Sequence, residues 1–162
     1  MTGTSISQIL DRFMEEGIKL SPIGATMLGV PGLDDQLDDL SMEGNEKRAE
    51  LTRTTLAALK GAEPVNEFDR IARDVAVERL TSELNLNDTY EARILFNLIS
   101  SPVTSIRQVF EMMKKDDPET ISNVTKRMNG ISAALDGWKS TLTHVAEKGK
   151  VNSRRQVLAD RK

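Results

Sequence analysis

The sequence predicts an all-α protein, folded as a multi-helix bundle of about six to eight helices. Three observations support this fold class. Apolar residues recur at intervals of three and four over most of the chain, which is the spacing of one helix face. Ser-Pro or Asp-Pro pairs, which suit the start of a helix, occur at positions 21, 101 and 117, while glycine and proline number only 10 and 5 among 162 residues. We therefore expect short helices that begin at proline, and one long helix or a helix pair near the C-terminus.

The N-terminal part contains two predicted helices. Ser5 and Gln8 form a capping box at the start of the first helix. In a capping box the side chain of each residue accepts a hydrogen bond from the backbone amide of the other. The apolar face of this helix consists of Ile6, Ile9, Leu10, Phe13, Met14 and Ile18. Ser21 and Pro22 start a short second helix that reaches about Leu28, and residues 29–32 (GVPG) end it.

Two longer helices are predicted next. Ser41 caps the third helix, and Gly61 ends it. Its apolar face consists of Ala49, Thr52, Leu56 and Leu59. Pro64 opens the fourth helix, which residues 85–88 (NLND) are expected to break. The apolar stripe of this fourth helix consists of Phe68, Ala72, Val75, Ala76, Leu80 and Leu84.

The C-terminal half begins with the most apolar run, residues 94–99 (ILFNLI), which we interpret as helix although its length also fits a strand. Ser101-Pro102 and Asp117-Pro118 start two further helices. An apolar seam then follows, made of Ile121, Val124, Met128, Ile131, Leu135, Trp138, Leu142 and Val145. Because glycine costs about 1 kcal/mol relative to alanine inside a helix, Asn129-Gly130 leaves two possibilities, one long helix or two helices that meet there.

The end of the chain carries the last predicted elements. Gly149 terminates the seam, and Asn152-Ser153 starts a final helix of about nine residues, which is marginal unless it packs against something. The unfinished appearance of this helix suggests part of a larger object. No linker or repeat divides the chain, so we treat residues 1–162 as a single helical domain that is the N-terminal part of a longer protein.

Composition restricts the classes of function. The net charge is −3 and the pI is near 5.3, whereas a general nucleic-acid binder is basic, so we expect no nucleic-acid partner. No apolar run approaches the about 20 residues of a membrane span, and the N-terminus lacks the pattern of a signal peptide. We therefore expect no membrane partner and a cytoplasmic location. The absence of cysteine excludes disulfides and cysteine-ligated metals.

Groups that could bind zinc are sparse. His144 is the only histidine, whereas a zinc site needs three or four ligands, mostly histidine or cysteine. We interpret His144 and Glu147 as neighbours on one helix face, not as ligands. The chain is therefore assigned no catalytic residue, no metal ligand and no cofactor of its own.

Charge is segregated along the chain. Asp34, Asp35, Asp38 and Asp39 suggest a calcium loop, but an EF-hand starting at Asp34 needs glycine at position 39 and glutamate at position 45, so a solvated loop is favoured. Residues 148–162 are strongly basic. Because no aromatic residue lies among these bases to stack on a nucleobase, we interpret the tail as a solvated or partner-facing helix.

Three groups of residues carry a resemblance to a known family. They are residues 21–29 (SPIGATMLG) with 37–44 (LDDLSMEG), residues 95–103 (LFNLISSPV) with 106–113 (IRQVFEMM), and residues 134–138 (ALDGW) with 149–157 (GKVNSRRQV). In order and spacing they resemble the N-terminal region of the bacterial domain of unknown function 885 family. They span nearly the whole chain.

The resemblance implies a function. Members of that family are longer, largely helical, and similar to zinc metallopeptidases of the carboxypeptidase type, with a His-Glu-x-x-His helix downstream of the matched region. The chain contains no such motif, so the resemblance implies a non-catalytic region that walls or covers a substrate cleft, a zinc ion and hydrolase activity in the full-length protein, and the missing C-terminal catalytic region as partner. Arg154, Arg155 and Gln156 are the candidate substrate-binding residues, because arginine binds carboxylates bidentately.

An alternative function remains open at this stage. The chain could be a free-standing helical interaction or dimerisation module without enzymatic activity, and the exposed part of the Ile121 to Val145 seam would then form a homodimer.

Overall fold

The computed structural model describes residues 5–90 and 101–154, together with residues 94 and 99. These residues form helices and contain no strand, so the predicted all-α fold class is confirmed. In chain order the helices are α1 Ile6–Leu20, α2 Pro22–Met27, α3 Met42–Gly61, α4 Glu67–Asp88, α5 Pro102–Met112, α6 Pro118–Asn129 and α7 Ile131–Glu147.

Short polar side chains fix the helix starts at the predicted positions. The side chain at each N-cap accepts a hydrogen bond from the backbone amide three residues on, which satisfies one amide that has no partner within the helix. The N-caps of this kind that were predicted are Ser5, Ser21, Ser41, Ser101 and Asp117. The predicted capping box at Ser5 is also present, since the Ser5 amide donates to Gln8 Oε1 at 3.0 Å.

Two glycines end helices in the left-handed conformation. Gly29 follows α2 with φ 74° and Gly149 follows α7 with φ 76°. In both cases the next amide reaches back to the last turn: Val30 N donates to the Ala25 carbonyl at 2.9 Å, and Lys150 N donates to the Val145 carbonyl at 3.2 Å. This is the Schellman arrangement, for which a residue without a Cβ is favoured.

The first core joins α1, α3 and α4. Its buried members are Ile6, Ile9, Leu56, Leu59 and Leu80. The apolar face predicted for α3 is confirmed, since Ala49, Thr52, Leu56 and Leu59 are all buried. Helices α1 and α4 therefore both pack on α3 and also contact each other.

Helix α4 differs from its prediction in three ways. It begins at Glu67, not at Pro64, because the Asn66 side chain accepts from the Asp69 amide at 2.8 Å and caps it there. It continues through residues 85–88, which were expected to break it. Phe68 and Val75, which were assigned to its buried stripe, are exposed, because only one side of α4 faces α1 and α3.

The second core lies between α2, α5 and α7. Ile23, Ile106 and Val109 are its buried centre. Leu37 and Leu40, from the loop between α2 and α3, pack on this centre together with residues of α7. A segment without regular secondary structure therefore closes the second core.

Helices α6 and α7 meet at Gly130, which decides between the two predicted possibilities. Gly130 has φ −78° and ψ −12°, so its backbone stays in the right-handed helical region. Gly130 N donates to the Lys126 carbonyl at 3.2 Å, and Ala134 N donates to the Gly130 carbonyl at 3.1 Å. The junction is thus a bend between two helical segments and not a loop.

The predicted seam of α6 and α7 is only partly buried. Trp138 and Val145 are buried, whereas Ile121 and Met128 are exposed. Two further predictions fall mainly outside the described residues: the helix over residues 94–99, of which only 94 and 99 are described, and the last helix, of which the structure describes Arg154 as its first helical residue.

Candidate functional site

The most elaborate polar arrangement in the described residues surrounds the loop between α2 and α3. We call residues 29–40 of this loop the strap, because it crosses the second core in a conformation without regular secondary structure. Four aspartates of the sequence lie on it. Side chains from α2, α3, α6 and α7 hold it in place, as described below.

Arg127 of α6 holds the middle of the strap from its buried side. Its side chain is 0% exposed, and it is the largest fully buried side chain of the described residues. Nε donates to the Gln36 carbonyl at 2.7 Å, and Nη2 donates to the Leu33 carbonyl at 2.8 Å. Nη2 also lies 3.0 Å from Thr26 Oγ1 and 3.3 Å from the Pro22 carbonyl, so one guanidinium joins α6 to both α2 and the strap.

The electrostatic environment of Arg127 has two opposing parts. Burial lowers the pKa of its guanidinium, because desolvation disfavours the charged form, while the charges of Asp34, Asp38 and Asp35 raise it. Arginine remains protonated across the physiological range, so a buried positive charge is held beside three carboxylates. Its Nη1 is buried and has no hydrogen-bond acceptor among the described residues.

The aspartates of the strap are used inside the protein. Asp38 accepts from the Ile23 amide at 2.8 Å and from Ser21 Oγ at 3.0 Å, at the start of α2. Asp34 accepts from Thr26 Oγ1 at 2.8 Å. Asp34, Asp35 and Asp38 are half-buried, whereas Asp39 is exposed. The sequence predicted that all four would lie in a solvated loop, and this is correct only for Asp39. The carboxylates cap α2 and surround Arg127.

Helices α3 and α7 hold the far end of the strap. Thr141 is fully buried, and its Oγ1 donates to the Leu40 carbonyl at 2.8 Å. Arg48 donates to the Asp39 carbonyl at 3.0 Å. The strap approaches Gly44 so closely that a Cβ there would lie 2.2 Å from the Asp39 carbonyl oxygen. Glycine is therefore required at this point of α3.

A groove of about 560 Å³ lies between the strap and the facing ends of α5 and α6. Its apolar wall includes Val30, Pro31 and Met112, and its carboxylates are Asp34, Asp35 and Glu119. Lys126, just outside the groove, lies 3.7 Å from Asp35. The groove is therefore a surface of mixed polarity, supported from beneath by the buried Arg127.

The chain matches the family model described as bacterial protein of unknown function (DUF885) over residues 22–160. This range is well over half of the 162 residues. The chain belongs to the DUF885 family. None of the curated proteins compared with it is significantly similar.

The DUF885 match begins at Pro22, the first residue of α2, and so leaves α1 outside. Yet α1 contributes Ile6 and Ile9 to the first core. Helix α1 is therefore structurally integral to this DUF885 chain, although it lies outside the matched residues.

The zinc ion that the resemblance implies does not fit the described residues. Among residues 5–90 and 101–154, no three His, Cys, Asp or Glu side chains lie close enough together to hold a metal ion. His144 is half-buried on α7, with Glu147 exposed one turn on. We therefore derive no chemical step through zinc for this DUF885 chain.

The predicted substrate-binding residues lie at the edge of what the structure describes. Arg154 is exposed, together with Lys148 and Lys150 of the basic tail. Arg155 and Gln156 lie outside the described residues, so this group of three stays a prediction. In the described part of this DUF885 chain, no helix combines the length and apolar character that crossing a membrane requires.

Arg127 is the residue of this polar arrangement that sequence reasoning missed. It lies on α6 beside the predicted seam, where a periodicity of apolar residues counts an arginine as solvent-facing. The one available signal was complementary charge, since residues 34–50 carry an excess of acids that a buried cation could face. That signal does not distinguish Arg127 from the other basic residues, because the sequence does not show which of them lies near the aspartates in the folded chain.

Proposed function

We propose that this chain is a non-catalytic helical region of a larger zinc-dependent, carboxypeptidase-type protein, and that it walls or covers the substrate cleft of that protein. The proposal rests on the family match together with one structural observation. The fully buried polar side chains Arg127 and Thr141 donate hydrogen bonds to backbone carbonyls of the strap, and Arg127 also donates to Pro22 and Thr26 of α2. Such groups give rigidity to a wall and are not available to a substrate.

A rigid wall is what a cleft-covering region requires. Binding clefts are usually largely pre-formed, with apolar linings and a few fixed polar groups. The strap presents Val30 and Pro31 beside the carboxylates of Asp34 and Asp35. Because Arg127 holds the carbonyls of Leu33 and Gln36 from beneath, these surface groups keep fixed positions.

The chemistry of the proposed protein would lie in the missing C-terminal catalytic region, its partner. Zinc would be supplied there, and the present chain would contribute contacts to the substrate. Arg154, Arg155 and Gln156 would bind the substrate carboxylate, since a guanidinium can donate two parallel hydrogen bonds to it. The exposure of Arg154 supports this role, because the side chain is accessible.

Reading the gene beyond Lys162 and reconstituting the two parts test the proposal. We expect a downstream region with a His-Glu-x-x-His motif, and we expect peptidase activity to rise when the purified 162-residue chain is added to that region. The Arg127→Met variant should restore less activity than the wild-type chain, while Lys126→Met, which changes the exposed neighbour, should restore as much. Stoichiometric zinc or peptide hydrolysis by the 162-residue chain alone would overturn the proposal.

The substrate-binding role has its own readout. Replacement of both Arg154 and Arg155 by alanine should raise KM for peptides with a free C-terminal carboxylate and leave KM for C-terminal amides unchanged. An equal effect on both peptide classes would assign these arginines to packing.

A further inference from the structure

The pair Asn129-Gly130, at the bend between α6 and α7, brings together two groups that can react with each other. Asn129 is exposed, and no hydrogen bond of its side chain is found among the described residues. The next residue is glycine, so no Cβ shields the backbone nitrogen that follows the asparagine. Of all residues, glycine in this position leaves the nitrogen freest to attack the side-chain amide. The two residues therefore form a chemically competent modification site.

The modification is deamidation, and it needs no reactant except water. The backbone nitrogen of Gly130 loses its proton and forms a bond to Cγ of Asn129, and the side-chain nitrogen takes up a proton and leaves as ammonia. Water then opens the resulting five-membered ring. Breaking the bond from nitrogen to Cγ gives aspartate. Breaking the bond from nitrogen to the backbone carbonyl carbon gives isoaspartate, in which the main chain runs through Cβ and Cγ.

The closed bend opposes this reaction. Asn129 is the last residue of α6, and closing the ring requires its backbone to rotate out of the right-handed helical region. The Gly130 amide is also engaged, since its nitrogen lies 3.2 Å from the Lys126 carbonyl oxygen and 3.1 Å from that of Arg127. Such sharing of one N–H between two carbonyls is common at helix termini. The Gly130 nitrogen is therefore released only when the last turn of α6 opens.

We propose that Asn129 is a deamidation site controlled by the α6–α7 bend, because the closed bend withholds the Gly130 nitrogen and local opening releases it. Folded proteins open locally at free energies that range from near zero up to that of global unfolding. The rate of reaction at Asn129 therefore follows the opening of this one junction. The site is independent of the peptidase-related function proposed above, which uses neither Asn129 nor Gly130.

Deamidation at Asn129 loosens the strap. Arg127, two positions earlier, donates hydrogen bonds to two carbonyls of the strap. Gly130 also lies against the strap, since a Cβ added there would be 3.6 Å from Leu37 Cδ1. Isoaspartate lengthens the main chain by one carbon between these two contacts, so α6 and α7 cannot both keep their positions. The modified chain therefore holds the strap less firmly.

Incubation of the full 162-residue chain at mildly alkaline pH, either folded or in a denaturing concentration of urea, tests the control by the bend. Peptide mass spectrometry measures the conversion of each asparagine. Asn129 should react more slowly in the folded chain by about tenfold or more, which corresponds to about 1.4 kcal/mol or more of opening free energy. Asn152 lies in backbone without regular secondary structure and serves as the internal reference, because its rate should change much less.

Three variants separate opening of the bend from unfolding elsewhere. Arg127→Met should raise the rate at Asn129 in the folded chain by about tenfold or more, because it removes the bonds that fix the end of α6. Lys126→Met changes the exposed neighbour and should leave the rate unchanged. Leu59→Ala weakens the first core, to which neither α6 nor α7 contributes, and should raise the rate much less than Arg127→Met does.

Gly130→Ala tests the chemistry without disturbing the fold. The added Cβ would meet no atom closer than 3.4 Å, and the backbone at Gly130 is already helical. This variant should suppress deamidation at Asn129 in the folded chain and slow it in urea. Isoaspartate-containing wild-type chain, separated by ion exchange, should be cut in the strap by a protease faster than unmodified chain.

Four results would overturn the proposal. Equal rates at Asn129 in the folded and unfolded chain would show that the bend exerts no control. Equal acceleration by Leu59→Ala and Arg127→Met would place the reaction in the globally unfolded chain. Absence of any product at Asn129 in folded Arg127→Met would show that no opening exposes the site. Cleavage of the strap at an unchanged rate in the isoaspartate form would disprove the effect on the strap.

Discussion

Arg127 donates a hydrogen bond to the carbonyl oxygen of Leu33 at 2.8 Å, although 94 positions separate the two residues. This contact fastens an irregular loop to a helix in the last third of the chain. The loop in turn delivers Leu37 and Leu40 to the second core. The buried guanidinium of Arg127 therefore supports the strap, a segment that lacks the regular backbone hydrogen bonds of a helix.

Arg127→Met should lower the free energy of unfolding by about 3 kcal/mol. The change removes the guanidinium hydrogen bonds to the carbonyls of Gln36 and Leu33, and a hydrogen bond that involves a charged group contributes about 1.5–3 kcal/mol. The Leu33 carbonyl keeps one donor, the Gln36 amide at 3.2 Å. Urea denaturation followed by circular dichroism measures the effect. Limited proteolysis should also cut the strap faster in the variant.

Lys126→Met is the matched control for this prediction. Lys126 is the neighbouring residue, and its side chain is exposed with one loose ion pair to Asp35 at 3.7 Å. Its loss should change stability by no more than about 0.5 kcal/mol. Equal stability of the two variants would show that Arg127 does not fasten the strap.

Gly44→Ala and Gly17→Ala should change stability in opposite directions. A Cβ at Gly44 would lie 2.2 Å from the Asp39 carbonyl oxygen, so the strap must shift, at a cost of about 1–3 kcal/mol. At Gly17 in α1 a Cβ would lie 4.0 Å from Leu51 Cδ2, an ordinary contact distance, and alanine should stabilise the helix by about 0.5–1 kcal/mol. Thermal unfolding of both variants measures these effects. A Gly44→Ala variant that melted at or above the wild-type temperature would contradict the close approach of the strap to Gly44.

Leu59→Ala and Phe68→Ala should show that size does not decide the cost of truncation. Leu59 is fully buried in the first core, so its loss should cost about 2–5 kcal/mol. Phe68 is larger but exposed, so its truncation should change the stability of the monomer by less than about 0.5 kcal/mol. Urea denaturation followed by circular dichroism measures both effects. If Phe68→Ala lowered the free energy of unfolding as much as Leu59→Ala, Phe68 would be buried, in contradiction to the structure.

Asp39 should contribute to loss of stability in acid. Hydrogen bonding from Ser41 holds the pKa of the Asp39 carboxyl below its ordinary value, against the opposing effect of burial. The unfolded chain therefore binds this proton more readily than the folded chain. The contribution is present above the ordinary pKa of about 4 and is lost as the pH falls through the lower value of the folded state.

Thermal unfolding of Asp39→Asn between neutral pH and about pH 2 checks this sign. The variant should melt below the wild type at neutral pH, and the two curves should converge in acid. Asp136→Asn provides the control, since no hydrogen bond or ion pair of Asp136 is found among the described residues. A gap between Asp39→Asn and wild type that widened in acid would contradict the assigned direction.

Local chemistry explains which parts of the fold could be predicted. The N-caps Ser5 and Asp117 depend on a bond between a side chain and an amide three residues away, so the sequence contains all the information for them. The exposure of Phe68 could not be predicted in this way. Helical periodicity places Phe68 and Ala72 only about 40° apart around the helix. Only the positions of α1 and α3 decide that Ala72 is covered and Phe68 is not.

The sequence by itself determined the all-α class, the capped starts of α1, α2, α3, α5 and α6, and the glycine ends of α2 and α7, because these depend on contacts within a few residues. It also predicted the resemblance to the family to which the chain belongs. The tertiary structure alone decided that α6 and α7 are joined through Gly130, that the strap aspartates turn inward, and that Arg127 is buried. These features depend on groups far apart in the chain, whose desolvation and pairing are settled only when packing brings them together.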